Sequence, residues 1–230
     1  MIFTFWEGNE MPEYLKMCME TWKFDYVLLN YNNLKDYTDL KVDDNLKRFS
    51  LPQIADAVRV HVLRDNGGYW LDTDTIMLSD SLPEENILGY PETREHTIGF
   101  LHTNPNTNMY ISWANYQDKV ISDENPSFQW NILGNRFTDS YVKHHKEITI
   151  GDINNRWPET KLPVNEHRWT KYKLLYFKMH KLLSDFYPTD MLMLHNSWTP
   201  DYYKKYSREE ILNDDCTLSN ILKEMNQGGR

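Results

Sequence analysis

Asp72 and Asp74, separated only by Thr73, are the residues of this 230-residue chain whose type and spacing best suit a divalent cation. In an extended chain side chains alternate sides, so these two carboxylates would point the same way with Cβ atoms about 7 Å apart. One could then take an ion directly while the other held a metal-bound water or a substrate hydroxyl, which is how an acidic protein can accept a diphosphate. The bare pattern is common: 19 Asp in 230 residues would give about 1.6 such pairs by chance. Its neighbours have to carry the reading.

Asp56 and Arg59 precede the pair by one helix and a diglycine, Gly67-Gly68. Three residues apart on a helix, they share a face and can point together at whatever binds beyond it. Taken alone, such residues would form an exposed ion pair worth a few tenths of a kcal/mol. The diglycine lets the backbone leave the helix sharply and run into Tyr69-Trp70-Leu71 and the carboxylates.

The elements that must position these residues read as an α/β fold. Ile2 to Trp6 is an apolar, β-prone opening, Pro12 to Lys23 carries Leu15, Met19 and Trp22 at helical steps, and Tyr26 to Asn30 is a second strand. Strand, helix and strand in 30 residues open a parallel pair. Residues 31–50 are polar and read as a connection. Leu51 to Asn66, with Pro52 in the first turn and Gly67 past the end, is the clearest helix. Further strands are expected at 75–78, 87–90, 97–101, 148–150, 182–186 and 191–194, and helices at 108–116, 128–137, 202–206 and 208–225.

Composition narrows the function classes. The hydrophobic share is 40% and the aromatic share 14%, so the chain can bury a substantial core. A net charge of −9 repels a phosphate backbone, so nucleic acid is not an expected partner. Cys18 and Cys216 stand far apart without a Cys-x-x-Cys or Cys/His cluster, and are expected as packed, reduced thiols. No run of about 18 apolar residues and no basic leader with an apolar stretch is present, which points to an intracellular protein. Lys171, Lys173, Lys178 and Lys181, interleaved with apolar residues, leave room for peripheral membrane contact.

The run Ala55-Asp56-x-x-Arg59-x-x-x-Leu63-x-x-x-Gly67-Gly68-x-x-x-Asp72-x-Asp74 resembles the DXD region of GT-A fold glycosyltransferases related to glycosyltransferase family 32. That group includes yeast mannosyltransferases, bacterial capsular polysaccharide transferases and, more distantly, clostridial glucosylating toxins. Phe5-Trp6-x-Gly8 with Met11-Pro12 is similar to the family's opening, and Phe186-Tyr187-Pro188 with His195-Asn196-Ser197-Trp198 to its closing motif. Residues 100–180 match poorly, and acceptor recognition is expected there. The resemblance implies one GT-A domain over residues 1–230, a Rossmann-like α/β fold with a mixed central sheet flanked by helices. Residues 1–100 would be its nucleotide-sugar half and 101–230 its acceptor side.

The same resemblance assigns roles. Asp74 would ligate Mn2+ or Mg2+ directly, Asp72 would bind the ion through water or hold a ribose or sugar hydroxyl, and His195 would be a third ligand, imidazole being suited to Mn2+. A lone His after an apolar strand is otherwise more often a packed core residue. Trp6 would stack on uracil, Asp56 would accept from donor-sugar hydroxyls, and Arg59 would neutralise phosphate or bind sugar. Trp70 stands where some relatives have Tyr and would form an aromatic wall. Ser197 would donate to a phosphate oxygen, and Trp198 would close over the diphosphate.

The implied reaction moves a hexose or deoxyhexose from a UDP-sugar to a glycan or glycoconjugate acceptor, with retention. No nucleophile or general base can be nominated. Two rivals remain: a haloacid dehalogenase-like phosphatase built on Asp72-x-Asp74-x-Thr, and a nucleotide-sugar binding module without turnover. Against the phosphatase, its motif ends the first strand of that fold, whereas two strands and two helices are expected before Asp72.

Overall fold

A computed structural model describes residues 1–89, 96–152, 168–186 and 190–227 of the chain. Its elements in order are β1 (Ile2–Phe5), α1 (Glu13–Glu20), β2 (Tyr26–Leu29), α2 (Asp44–Lys47), α3 (Leu51–Asn66), β3 (Gly68–Leu71), β4 (Thr75–Met77), β5 (Ile87–Gly89), β6 (His96–Thr103), α4 (Asn108–Ser122) and α5 (Asn135–Tyr141). They continue with β7 (Ile150–Asp152), α6 (Arg168–Phe177), β8 (Met191–Met193), α7 (Asp201–Lys204), α8 (Arg208–Asn213) and α9 (Thr217–Gln227).

The chain divides into two compact units. The first comprises residues 1–9, 24–72 and 83–152, and the second residues 10–23, 73–82 and 153–230. The first unit holds a six-stranded sheet in the order β2-β1-β3-β6-β5-β7. β1 is parallel to β2 and β3, and β6 is antiparallel to both β3 and β5, so the sheet is mixed. α3 packs on β1 and β3 and α5 on β6. This is the α/β class that the order of elements leads one to expect, with the mixed central sheet flanked by helices that the family resemblance implies.

α3 forms where its signals place it. Ser50 and Gln53 make a reciprocal capping box, Pro52 sits in the first turn, and the Gly67 N–H closes the helix on Leu63 O. Ile54, Ala57, Val58 and Val62 bury one side in a core shared with Phe3, Leu29, Trp70, Leu101 and Trp113. Gly67 (φ 65°) and Gly68 (φ 86°) then turn the chain into β3 in backbone conformations that favour glycine.

In the second unit β4 and β8 form an antiparallel pair, with Thr75 opposite Met193. α1 packs on β4 and on α9, which also meets α6 and α8. Trp22 just past α1 donates from Nε1 to Thr75 O at 2.8 Å, and Thr21 Oγ1 accepts from the Met77 N–H at 2.9 Å. Cys18 and Cys216 are both buried and free in this unit.

Several local expectations are corrected. The connection 31–50 contains a 3-10 turn at Leu34–Asp36 and the short helix α2, which Asp43 caps by accepting from Asn45 and Leu46 N–H groups. Leu183–Phe186 is a 3-10 helix rather than a strand. The helix expected over 208–225 is two helices, because Asp214 leaves helical geometry at ψ 149°. α4 runs on to Ser122, and the helix expected from 128 starts only at Asn135. Tyr90, Tyr187 and Pro188 lie outside the described residues. Among the described residues, no helix is long and apolar enough to cross a membrane.

Candidate functional site

The first unit builds a buried charge cluster around Arg59, which is only 5% exposed. Its Nη2 lies 3.1 Å from Asp56 Oδ1 and 3.3 Å from Asp72 Oδ1, so one guanidinium joins both carboxylates. Nε donates to Ala55 O at 3.3 Å, Nη1 donates to Ile98 O, and the guanidinium carbon lies 5.0 Å from the centre of the Trp70 ring. The helical spacing did bring Asp56 and Arg59 together, but inside the protein rather than as an exposed pair. With its donors spent on the protein, Arg59 acts here as a clamp on two carboxylates.

Asp72 is fixed from three directions. Its N–H donates to Gly99 O at 2.9 Å, and Trp70 Nε1 donates to its Oδ1 at 2.8 Å beside Arg59. These side-chain contacts all fall on Oδ1, and the side chain keeps 38% of its surface open. Among the described residues Oδ2 has no partner, so the oxygen best placed to take a ligand is the one the protein leaves unused. Asp56 differs, with only 13% of its side chain exposed. Burial pushes its carboxyl up to about 7, with Asp72 adding to the rise and Arg59 opposing it.

Trp6 lies at the end of β1. Its N–H donates to Leu29 O at 3.0 Å and its indole Nε1 to Asn9 O at 2.9 Å, which holds the half-buried ring in place. Next to it, Glu7 accepts from the N–H groups of Tyr31 at 2.7 Å and Gly8 at 3.1 Å.

The second unit positions Asp74. Thr73 and Asp74 form a turn between β3 and β4, so the alternation expected of an extended Asp72-x-Asp74 does not apply. The β4 and β8 pairing carries on past the strands: Leu194 N–H donates to Asp74 O at 3.0 Å and Asn196 N–H to Asp74 Oδ2 at 2.7 Å. Tyr14 Oη in turn donates to Asn196 Oδ1 at 2.5 Å. Asp74 is buried, and burial together with its charge drives the Tyr14 phenol and the Cys18 thiol upward.

His195, between the two residues bonded to Asp74, has its backbone N–H on Tyr172 Oη at 3.2 Å. Its ring centre lies 4.0 Å from that of Trp198, and Tyr172 meets both rings edge-on at 5.7 Å. Asn196–Trp198 is a 3-10 turn that leaves Ser197 exposed and Trp198 half-buried. Asp56, Arg59, Trp70 and Asp72 therefore form one cluster, and Asp74, His195 and Trp198 gather around Asn196 in another. Among the described residues, no three His, Cys, Asp or Glu side chains converge as a ready metal cage.

Tyr14, Tyr172 and the Asn196 N–H escape sequence reasoning, because only pairing across 122 positions brings the Asn196 amide to Asp74. Gly134 escapes it too: a Cβ there would come within 2.6 Å of Asp56 Oδ2.

Residues 1–150 match the family described as capsular polysaccharide synthesis protein. The chain belongs to that family. The matched stretch of this capsular polysaccharide synthesis family member includes Trp6, Asp56, Arg59, Trp70, Asp72 and Asp74, while His195, Ser197 and Trp198 lie beyond it. A solved structure titled PaToxG Glycosyltransferase is similar at 16% identity and a TM-score of 0.42, over 63% of this chain and 68% of that one. No curated protein matches the chain.

Proposed function

We propose that this capsular polysaccharide synthesis family member is a metal-dependent glycosyltransferase that moves a hexose or deoxyhexose from a UDP-sugar to a glycan or glycoconjugate acceptor, with retention. The observation that carries the reading is the Asp72 carboxylate, clamped on Oδ1 by Arg59 and Trp70 with Oδ2 left unused. A carboxylate held this way is preorganised for a ligand, and the cost of orienting it has been met during folding.

Asp72, Asp74 and His195 supply two carboxylates and an imidazole, residue types whose chemistry suits Mn2+ or Mg2+. When bound, the ion would neutralise charge growing on the leaving diphosphate. Trp6 would stack on the base, its indole oriented by Asn9 O. Asp56 would accept from sugar hydroxyls, and Arg59 would act through Asp56 and Asp72 as a positioning residue. Trp70 holds Asp72, while Ser197 would donate to phosphate and Trp198 would cover it. Retention without an assigned nucleophile fits a leaving phosphate that accepts the acceptor's proton.

Calorimetric titration with UDP, with and without Mn2+, tests the reading on the wild type and on Asp74→Asn. Metal-dependent UDP binding that the substitution abolishes is the expected result. Absence of binding by the wild type with metal, for both UDP and GDP, overturns it and directs attention to phosphatase substrates.

A further inference from the structure

We propose that residues 125–134 form a stacking platform for the acceptor glycan, with Trp130 and Phe128 as its aromatic faces. The inference rests on the glycosyl-transfer reading and adds the subsite that reading lacks.

Trp130 is 76% exposed and Phe128 54%, among the most exposed aromatic side chains described. Trp130 has no ring or hydrogen-bond partner among the described residues. An indole left in water on an unsupported loop would be unremarkable, but this loop is held just before its start, at Gln129 and at Leu133. Arg48 Nη2 donates to Ile121 O at 2.8 Å and Asp123 O at 2.9 Å, and Gln53 Nε2 donates to Gln129 O at 3.0 Å. Arg136 Nη1 donates to Gln129 Oε1 at 2.9 Å, and the Ile132 N–H donates to Gln129 O at 2.9 Å. Ile132 and Leu133 are buried, and Leu133 O accepts from Trp113 Nε1 at 3.1 Å. The protein therefore spends fixed contacts to present an exposed aromatic, which is the signature of preorganisation for a ligand.

The side chains name the ligand class. Ser127-Phe128-Gln129-Trp130-Asn131 alternates amide or hydroxyl groups with aromatic rings. A pyranose offers apolar C–H faces to rings and a rim of hydroxyls to amides, whereas a membrane surface would call for Lys and Arg beside the aromatics. Asp123 and Glu124 precede the segment, and Arg136 is engaged with Gln129, so the patch is not cationic.

The loop also ends on the site. Gly134 closes against Asp56 and Ile98, with a Cβ there falling 2.6 Å from Asp56 Oδ2 and 2.7 Å from Ile98 Cδ1. Four residues of chain thus separate Trp130 from the carboxylate assigned to the donor sugar, close enough for a bound glycan to approach the reacting end.

The test compares wild type, Trp130→Ala and Trp130→Phe for binding to an array of neutral and acidic hexasaccharides with UDP and Mn2+ present, alongside UDP calorimetry and flotation with phosphatidylglycerol vesicles. Glycan binding that falls about tenfold or more in Trp130→Ala, is partly kept in Trp130→Phe, and leaves UDP affinity unchanged supports the platform. Equal glycan binding by Trp130→Ala overturns it, as does a wild type that binds UDP but no glycan, or one whose Trp130 serves vesicles alone. Loss of UDP binding by the wild type instead removes the transferase reading, and the platform with it.

Discussion

The backbone N–H of Asn196 donates to Oδ2 of Asp74 at 2.7 Å, so the orientation of a carboxylate in one strand connection is set by a turn 122 residues later. That turn is itself held by Tyr14, whose hydroxyl donates to Asn196 Oδ1 at 2.5 Å. Removing the hydroxyl leaves a half-buried amide oxygen unpaired. Tyr14→Phe is therefore expected to cost about 1–2 kcal/mol in urea unfolding and to weaken metal-dependent UDP binding several-fold. A variant that loses stability but keeps full UDP affinity would show that Tyr14 does not position Asp74.

Arg59 is the common partner of Asp56 and Asp72. Replacing it by Met strands Asp56 as a buried carboxylate without a cation, a loss of roughly 3–5 kcal/mol. Adding Asp56→Asn to Arg59→Met should recover part of that loss, since the uncompensated charge is gone. Chemical denaturation of the two single variants and the double variant reads this coupling. Strict additivity would rule out the clamp.

His61 is 2% exposed in α3, and neither ring nitrogen makes a hydrogen bond; Asp118 Oδ1 approaches Nε2 only to 3.5 Å. Burial lowers its affinity for a proton, with Arg64 acting in the same sense and Asp118, Asp39 and Asp65 opposing. Because the folded value lies below the ordinary 6.5, stability is complete above that pH and is lost as pH falls through the folded value. Subtracting the urea midpoints of His61→Leu from those of the wild type, between pH 7.5 and 5, should give a difference that becomes less favourable to the wild type toward acid. A pH-independent difference would exclude His61 as the source.

Gly68 holds φ 86°, and a Cβ there would meet Met1 O at 2.6 Å. Gly68→Ala combines left-handed strain with a clash against backbone that cannot move without disturbing the pairing of β1 and β3, where Ile2 faces Tyr69. A loss of roughly 1–3 kcal/mol is expected from the backbone strain alone, read as a lowered thermal midpoint. An unchanged midpoint would mean that the β1 end yields freely.

How much of this was legible depends on how local each feature is. α3 was plain because Pro52, its apolar spacing and Gly67 all act within a few turns of one helix. Asp56 and Arg59 were on one face for the same reason. The break at Asp214 was not, because an apolar pattern spanning 208–225 carries no local statement of where a turn interrupts it. Leu183–Phe186 has strand-like composition, yet it closes as a 3-10 turn in which Asp185 Oδ2 accepts from the Leu182 N–H.

The sequence by itself determined the class of fold, the helix that carries Asp56 and Arg59, and the carboxylates available for chemistry, since these follow from residue type and short-range periodicity. Tertiary structure decided what each carboxylate is. Arg59 turned inward because Ile98 O and Asp72 reached it from β6 and the end of β3, and burial then separated enclosed Asp56 from open Asp72. Asp74 became a buried acceptor because strand pairing delivered the Asn196 amide to it. Desolvation and long-range hydrogen bonding depend on which distant segments meet, and no spacing within a motif encodes that.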